Sequence, residues 1–512
     1  MKVLVILLFF LNVTCGLKIL GIFHYAMKSH YLIGNSIVNS LLDAGHNVTA
    51  ITQYKPDKPI NNYRVVQLPE NLEPLKPPGK TPLDIAGVPP LVFSFYLPFF
   101  SYQFTEIDLR STELIEFLKE DEKFDICIVE LFLGEALLGV AEQAGCKIIQ
   151  YTTFDSYIWS DNMLGNDSPS SYVPHSFLYY SDQMSFTQRL WNSVFTIIDK
   201  LNYNVVALNF QKYLYNKYFP NARRSFDEMY KNASLIFINN HVSASFVRPH
   251  MPNQIEIGGI HVKPAKTLPI EFQRFLNEAA DGVIIFSMGS FLDGTDWKIE
   301  QREAFIKTFG KLKQKVLWRY SNETLPENPG NIKIGTWFPQ RDMMAHPNVK
   351  LFITHGGLLG TTEAIVEGVP ILGIPIFGDQ KMNMAKTIAR GYGLQILVPE
   401  ITEENLSNKI NELLNNPKYN ENAKRISKIF NDRPKTPQEE VIYWTEYVAR
   451  HNGAAHLQAA SVNLNFIEFN LIDVYCTILV VLLVAFYVWF KITLAVIRCA
   501  FSKRKADKKQ TQ

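Results

Sequence analysis

Short apolar runs alternate with longer amphipathic segments through the first half of the chain, as strands and helices do in an α/β layer. Residues 17–23 predict a first strand, and the amphipathic segment 33–44 predicts a helix that Gly45 ends. Further strands are predicted at 46–52, 64–68, 125–129, 147–151 and 234–239, and further helices at 111–119 and 135–144. This alternation predicts one α/β domain of parallel strands over residues 17–262.

The alternation resumes after a segment rich in glycine and proline, which predicts an interdomain linker at 263–280. Strands are predicted at 282–287, 315–319, 332–335, 351–354 and 370–377, and helices at 300–313, 402–414 and 437–450. A second α/β domain is therefore expected over 281–455. Because ligands bind outside the carboxyl ends of parallel strands, we expect two Rossmann-like domains that face each other across a ligand cleft.

Two aromatic stretches, 85–104 and 155–218, interrupt the first domain without clean periodicity. They are typical either of extra helices that cover the sheet or of the walls of an apolar pocket for a lipophilic ligand. The sequence favours neither interpretation.

Both ends of the chain carry apolar runs outside these domains. Residues 1–16 have a lysine, an unbroken apolar stretch and small residues, which predict a cleaved signal peptide. Residues 471–490 are long and apolar enough for a transmembrane helix, and a basic tail follows at 491–512. Because basic flanks stay cytoplasmic, these features predict a single-pass type I membrane protein whose domains lie on the lumenal side.

The net charge of +2 gives no argument for nucleic acid as a partner. Of the five cysteines, only Cys127 and Cys146 lie in the predicted lumenal body, and we expect them to be free buried thiols, although they could pair. The predicted topology would expose N-x-S/T triplets to glycosylation at Asn47, Asn166, Asn232, Asn322 and Asn405, of which the first two are weaker candidates.

Residues 337–380 contain the densest candidate chemistry. Within them, the buried strand 351–354 ends in His355-Gly356-Gly357, and the helix start that follows carries Glu363. The next apolar run ends at Asp379-Gln380. A glycine turn that opens a helix suits a phosphate, because free backbone N–H groups and the helix dipole point at it. This stretch therefore predicts a nucleotide site.

The spacing of W-x-P-Q, H-G-G, E and D-Q in this stretch resembles the donor-binding signature of the UDP-glycosyltransferase family. The resemblance extends to Ser29-His30 after the first strand, the G-G-I-H segment 258–261, the F-S-M-G-S turn 286–290 and the two termini. It is strongest to insect membrane-bound members. It implies the GT-B fold and residence in the membrane of the endoplasmic reticulum.

The resemblance also implies roles for the donor site. Trp337 would stack on uracil beside Gln340, and Glu363 would accept both ribose hydroxyls. The diphosphate would lie on His355 and the following turn, and Asp379 and Gln380 would bond the sugar. The residues implied for the diphosphate are His355, Gly356, Gly357, Ser287, Gly289 and Ser290.

For catalysis the resemblance implies that His30 is the general base, because an imidazole can accept a proton near neutral pH. His24 is the second choice, and His46 is expected to be structural. Glu130 stands where the family usually has the aspartate that orients the base. Leu359 stands where vertebrate members have an asparagine that contacts phosphate.

The resemblance implies an inverting, metal-independent transfer of a hexose from a UDP-sugar to a small lipophilic acceptor, with a role in detoxification. No cofactor is expected, because the UDP-sugar is a co-substrate. The resemblance to insect members favours UDP-glucose over UDP-glucuronate as the donor. A catalytically silent binding protein is the alternative, and the sequence leaves homo-oligomerisation open.

Overall fold

The computed structural model describes residues 16–56, 58–69, 82–290, 292–322, 324–325 and 329–510, with side chains as far as residue 502. The predicted signal peptide, apart from Gly16, lies outside the described residues. The chain forms two compact units, which divide between Gln458 and Ala459. The first unit contains both predicted α/β domains.

The first sheet of the described chain has seven parallel strands in the order β3-β2-β1-β4-β5-β6-β7. These strands are β1 (Lys18–Phe23), β2 (Asn47–Thr52), β3 (Tyr63–Gln67), β4 (Ile126–Glu130), β5 (Lys147–Thr152), β6 (Ala233–Ile238) and β7 (Gln254–Glu256). The helices of this half are α1 (Lys28–Asp43), α2 (Pro90–Arg110), α3 (Thr112–Lys119), α4 (Leu138–Ala144), α5 (Ile158–Leu164), α6 (Phe186–Asn202), α7 (Leu208–Tyr218) and α8 (Phe226–Tyr230). A π-helical segment, Tyr203–Ala207, joins α6 to α7.

The second sheet has six parallel strands in the described residues, in the order β10-β9-β8-β11-β12-β13. These strands are β8 (Val283–Ser287), β9 (Lys315–Arg319), β10 (Ile332–Gly335), β11 (Val349–Thr354), β12 (Ile371–Gly373) and β13 (Gly393–Gln395). The helices are α9 (Ile270–Asn277), α10 (Ile299–Gly310), α11 (Gln340–Met344), α12 (Leu358–Glu367), α13 (Gln380–Ala389), α14 (Glu403–Asn415), α15 (Pro417–Asn431) and α16 (Pro437–Arg450).

Helices cover both faces of each sheet, which explains why the strands are continuous apolar runs. In β6, for example, every residue is buried. Helix α16 returns to the first sheet, where Val441 and Val448 pack in the same apolar cluster as Ile19 and Ile37. The predicted linker at 263–280 includes α9.

The strand order reverses between β1 and β4 in the first sheet and between β8 and β11 in the second. A crevice forms at such a reversal, where crossover connections leave in opposite directions. His30 follows β1, Glu130 ends β4, Ser287 ends β8 and His355 follows β11. Each sheet therefore directs the predicted site residues to its own reversal.

Two expectations are wrong in detail. Cys127 and Cys146 form a disulfide, with 5.6 Å between their Cα atoms, and are not free thiols. Cys127 is in β4 and Cys146 directly precedes the paired strand β5, which brings the two backbones within bridging distance. The predicted strand 370–377 is paired only over Ile371–Gly373, because Pro375 has no N–H to continue the ladder.

The second unit contains the helices α17 (Phe466–Phe469) and α18 (Ile472–Gln510). Residues Ile472–Ser502 of α18 are long and apolar enough to cross a membrane, with a mean hydropathy of 2.4 over the most apolar window, none of which is buried. This segment contains nearly all of the predicted span 471–490.

Candidate active site

His30 and Glu130 meet at the strand reversal of the first sheet. His30 lies in the first turn of α1, and Glu130 is the last residue of β4, the strand beside β1. The Nδ1 atom of His30 forms a short hydrogen bond with Oε1 of Glu130, and the Thr153 hydroxyl lies 3.3 Å from the same nitrogen. Both members of the pair are buried. With Nδ1 engaged, Nε2 is the nitrogen that can accept a proton from a ligand.

Aromatic rings surround His30 on three sides. The ring centroids of Tyr25, Phe132 and Phe154 lie 4.7, 5.0 and 5.5 Å from that of the imidazole. These rings keep bulk water away from the pair, so its electrostatic interactions are stronger than they would be in solvent.

In the second domain, the His355 ring lies between two glycine turns. A Cβ atom at Gly289 or Gly357 would lie 2.7 or 2.3 Å from the imidazole, so a side chain at either position would collide with it. Gly289 and Gly356 have φ values of +68° and +78°, which favour glycine. Burial lowers the pKa of His355 to about 4, which keeps the ring neutral at physiological pH. Helix α12 begins directly after Gly357, which has no side chain to cap it.

Three side chains of this domain form a second group. Gln340 donates a hydrogen bond of 2.7 Å from Nε2 to Oε2 of Glu363. Burial raises the pKa of the Glu363 carboxyl, although the hydrogen bond from Gln340 acts in the opposite direction. The nearby Trp337 side chain is exposed, with 70% of its surface accessible, and it lines the open cavity.

The start of α13 holds Asp379 and Gln380. Asn383, one turn later, donates from Nδ2 to Oδ2 of Asp379 at 2.7 Å and to the carbonyl of Gly356 at 3.0 Å. The carbonyl oxygen of the Gln380 side chain accepts from the N–H groups of Ile376 and Phe377. Only the amide NH₂ group of Gln380 therefore remains to donate to a ligand. Burial raises the pKa of Asp379.

One cavity of about 1450 Å³ is lined by His30 of the first domain and by the candidate donor-site residues of the second domain. Of the predicted residues, Glu130 and Gly356 do not line it. Glu130 lies behind His30, and Gly356 supplies backbone. The predicted residues that line it are His30, Ser287, Gly289, Ser290, Trp337, Gln340, His355, Gly357, Glu363, Asp379 and Gln380.

The two aromatic stretches both cover the first sheet and form walls of the cavity, as the two interpretations of the sequence expected. They fold into the helices α2 and α5 to α7 beside the first sheet, and they also line the cavity near His30. Phe93 from α2 packs edge to face on Phe177, and Trp159 from α5 stacks on Tyr203. The cavity is therefore largely apolar at the end nearest His30.

Sequence reasoning missed three polar residues that border the cavity. Arg319, at the carboxyl end of β9, donates to the carbonyl of Gly289. Asn383 bridges Asp379 to the glycine turn, and Lys386 forms an ion pair with Asp155 of the first domain. Two signals in the sequence were available: Arg319 ends a predicted strand, and Asn383 lies one helical turn after Asp379. Sequence alone gives no partner for Lys386.

The other histidines behave differently from His30. His46 accepts the N–H of Leu17 at 3.1 Å and lies next to Glu446, which fits its expected structural role. His24 is buried beside Asp108, outside the cavity.

Solved structures of glycosyltransferases share this fold. The spinosyn forosaminyltransferase SpnP aligns with a TM-score of 0.57 and 17% identity, over 85% of this chain and 99% of that chain. The glycosyltransferase VinC, solved in complex with dTDP, aligns with a TM-score of 0.58 and 16% identity, over 85% of this chain and 100% of that chain. The fold and the arrangement of the two sheets are of the GT-B type.

The family described as UDP-glucoronosyl and UDP-glucosyl transferase matches residues 108–507. The UDP-glycosyltransferase UGT5 of Dactylopius coccus is 36% identical over 478 residues, covering 92% of this chain and 91% of that protein. The UDP-glucosyltransferase 2 of the same organism is 32% identical, covering 99% of both chains. The UDP-glucuronosyltransferase 2C1 of Oryctolagus cuniculus is 35% identical, covering 72% of both chains. The chain therefore belongs to the UDP-glycosyltransferase family and is an enzyme that transfers a sugar from a UDP-sugar to an acceptor.

Proposed function

We propose that the enzyme transfers a hexose, glucose in the first instance, to a hydroxyl of a small lipophilic acceptor, with His30 as general base. The observation that carries this proposal is the buried hydrogen bond between His30 and Glu130. His30 lines the same cavity as the candidate donor-site residues of the stretch 337–380. A carboxylate on Nδ1 fixes the tautomer that leaves Nε2 free as a base, and it stabilises the imidazolium that forms.

The proposed reaction has one displacement step. Nε2 of His30 takes the acceptor proton while the acceptor oxygen attacks the anomeric carbon, and the bond from that carbon to the diphosphate oxygen breaks. UDP leaves with the bonding electrons, and attack from the opposite face inverts the anomeric centre. Negative charge develops on the diphosphate, which the N–H groups at the start of α12 would stabilise.

On the donor side, Trp337 would stack on the uracil and Glu363 would bond both ribose hydroxyls. The diphosphate would occupy the two glycine turns around His355. Asp379 and the amide NH₂ group of Gln380 would bond the sugar. The raised pKa of Glu363 supports its role, because a buried carboxyl with a single close donor can gain bonds from two hydroxyls.

Glucose as the donor sugar rests on the resemblance to insect members, and the relative named UDP-glucosyltransferase 2 supports it. Another relative is named UDP-glucuronosyltransferase 2C1, which keeps UDP-glucuronate as the alternative donor. A lipophilic acceptor is supported by the aromatic walls near His30, because apolar and aromatic side chains favour the burial of apolar ligand surface.

We also propose that the enzyme is anchored by Ile472–Ser502 in the endoplasmic reticulum membrane, with its domains in the lumen and a role in detoxification. Glycosylation would then be restricted to accessible triplets. Asn322 and Asn405 are exposed, whereas the buried Asn166 bonds to Asp161 and Gln254 and would be excluded.

The decisive experiment uses the full-length protein in detergent micelles with UDP-glucose, UDP-glucuronate and a panel of phenols, in the presence of a chelator. We expect UDP release and conjugate formation with UDP-glucose. His30→Ala should lower kcat by about 10²–10⁴-fold and leave UDP affinity unchanged, because the base lies outside the nucleotide site. UDP binding without turnover in the unmodified protein would instead identify a silent binding protein. Undiminished activity of His30→Ala would identify a different base.

A further inference from the structure

The loop that follows Glu130 is held by side chains from other elements. The carbonyl of Leu131 accepts the Tyr157 hydroxyl at 2.7 Å. The carbonyl of Phe132 lies 3.3 Å from Nε2 of His24.

The next residue, Leu133, has a φ of +57°, a left-handed conformation that is costly for leucine. Its carbonyl accepts from the hydroxyls of Ser101 and Thr105, at 2.5 and 3.2 Å, and from the Gln211 amide at 3.2 Å. Three consecutive carbonyls are thus fixed by side chains, and the N–H of Leu131 also donates to the carbonyl of Tyr151 in β5 at 2.8 Å. The ring of Phe132 in this loop lies against His30.

His24 faces an acceptor on each ring nitrogen. Nε2 points to the Phe132 carbonyl, and Nδ1 lies 3.5 Å from Oδ2 of Asp108, with both side chains buried. A carbonyl oxygen can only accept, and so can an ionised carboxylate. Both contacts are favourable together when the pair holds one proton more than neutral histidine and ionised aspartate would share, and the raised pKa of His24 beside Asp108 favours the imidazolium as the holder of that proton.

Charged and titratable groups from three elements surround His24. These are Asp108 from α2, Glu130 from β4 and Glu135 from the turn before α4. Burial acts to lower the pKa of His24, but Asp108, with help from Glu130, outweighs burial and raises it. Gln53 donates to the carbonyl of His24 and approaches Oδ1 of Asp108.

We propose that His24 and Asp108 form a positioning pair that holds the Phe132 loop against His30, in a protonated state that the transfer reaction requires. This inference rests on the proposed role of His30. His24 touches neither substrate nor the reacting atoms, and it acts through the loop that carries Phe132 and follows Glu130. Release of the loop would misalign the His30–Glu130 bond, and a displacement of about 1 Å can cost about 100-fold in rate.

Gly134 provides an independent test of this geometry. A Cβ atom at Gly134 would lie 2.3 Å from Nε2 of His24, although its backbone φ of −132° is open to any residue. Gly134→Ala would therefore push the imidazole away from Phe132 without changing any titratable group. The same outcome is expected from His24→Leu, which removes both contacts.

The experiment compares these variants with His46→Leu, which removes another buried histidine at the opposite end of the sheet. Each full-length variant is assayed for kcat, KM for UDP-glucose, UDP binding and thermal stability. His24→Leu and Gly134→Ala should lower kcat by about 10–100-fold and leave KM and UDP affinity unchanged. His46→Leu should lose stability and keep its kcat.

The pH dependence of kcat shows whether the loop is positioned by the charge of His24 or only by the packing of its side chain. Asp108→Asn removes the carboxylate that raises the His24 pKa, so His24 loses its proton at lower pH. The alkaline decline of kcat should therefore move to lower pH in Asp108→Asn and stay unmoved in His46→Leu. This readout also decides the question if His24→Leu fails to fold.

A wild-type kcat in both His24→Leu and Gly134→Ala would overturn this inference, and so would an unmoved alkaline limb in Asp108→Asn. The proposed function would still stand in either case if His30→Ala is inactive. An active His30→Ala would overturn the proposed function itself, whatever the His24 variants show.

Discussion

Glu130 shows how one residue can depart from a family pattern and still keep its contact. It is one methylene longer than aspartate, yet its carboxylate meets Nδ1 of His30, because β1 and β4 are adjacent and Glu130 is the last residue of its strand. Tyr151 is the residue paired with Glu130 on β5, and burial, together with the Glu130 charge, raises the tyrosine pKa. The longer side chain of Glu130 thus fits because the residue lies at the end of its strand.

Glu130→Gln tests the charge of this carboxylate. A neutral amide cannot stabilise the imidazolium, so we expect kcat to fall by about 10²–10⁴-fold with UDP affinity unchanged. Glu130→Asp retains the charge on a shorter side chain and should recover part of the rate. The comparison of kcat at saturating UDP-glucose measures both. A Gln variant as active as the Asp variant would show that the charge is not used.

At the scale of elements, β4 carries both Glu130, the proposed partner of the general base, and one cysteine of a disulfide. Cys127 lies three residues before Glu130 and binds Cys146 at the start of β5. The disulfide closes a loop over a sequence separation of 19 and joins two strands that are already hydrogen-bonded. Its effect is therefore expected on the unfolded state more than on the geometry of the site.

Replacement of both cysteines by alanine should lower the free energy of unfolding by about 3 kcal/mol, because the unfolded chain regains the entropy of an open loop. Denaturant titration measures this loss, and peptide mapping without reduction measures the bridge. The kcat of the folded variant should stay close to that of the wild type. A reduced pair in the native enzyme would contradict the disulfide.

At the scale of the whole first unit, the two sheets are joined by buried polar contacts beside the cavity. Lys386 on α13 forms a 2.6 Å ion pair with Asp155, which follows β5. Arg390, one turn later, donates to the carbonyls of Val242 and Ser245. Helix α13 begins at Gln380, so the same helix supplies proposed sugar contacts and fixes the second domain to the first.

Lys386→Met should destabilise this arrangement by about 3–5 kcal/mol, because it leaves the Asp155 charge buried without its partner. The double variant Lys386→Met with Asp155→Leu should be less damaged than Lys386→Met alone. Thermal unfolding measures the loss of stability, and the KM for UDP-glucose measures the effect on donor binding. Additive losses would show that the two side chains do not interact.

The acid stability of the molecule should depend on neutral buried histidines. Burial lowers the pKa values of His241, His261 and His355 to about 4, against 6.5 for exposed histidine. As pH falls from 6.5 to 4, the unfolded chain takes up protons that the folded chain refuses, so stability falls across this window and levels off below it.

Thermal midpoints measured between pH 7 and pH 4 check this expectation. His261→Gln keeps a donor for the Leu359 carbonyl, which His261 contacts at 3.2 Å, and it removes one titrating group. Its midpoint should fall less steeply with acid than that of the wild type. An identical slope would exclude His261 from the effect.

Local pattern determined much of this protein. The alternation of apolar runs gave both α/β domains, since burial of strands and helices follows from residue periodicity. The stretch 337–380 also stood out as a candidate nucleotide site, because strand, glycine turn and helix start lie within one continuous segment. The tertiary structure decided the rest. His30 and Glu130 are 100 residues apart, and the contacting residues Asp155 and Lys386 are 231 apart. Such contacts depend on strand order and on how the two sheets face each other, which local periodicity does not encode.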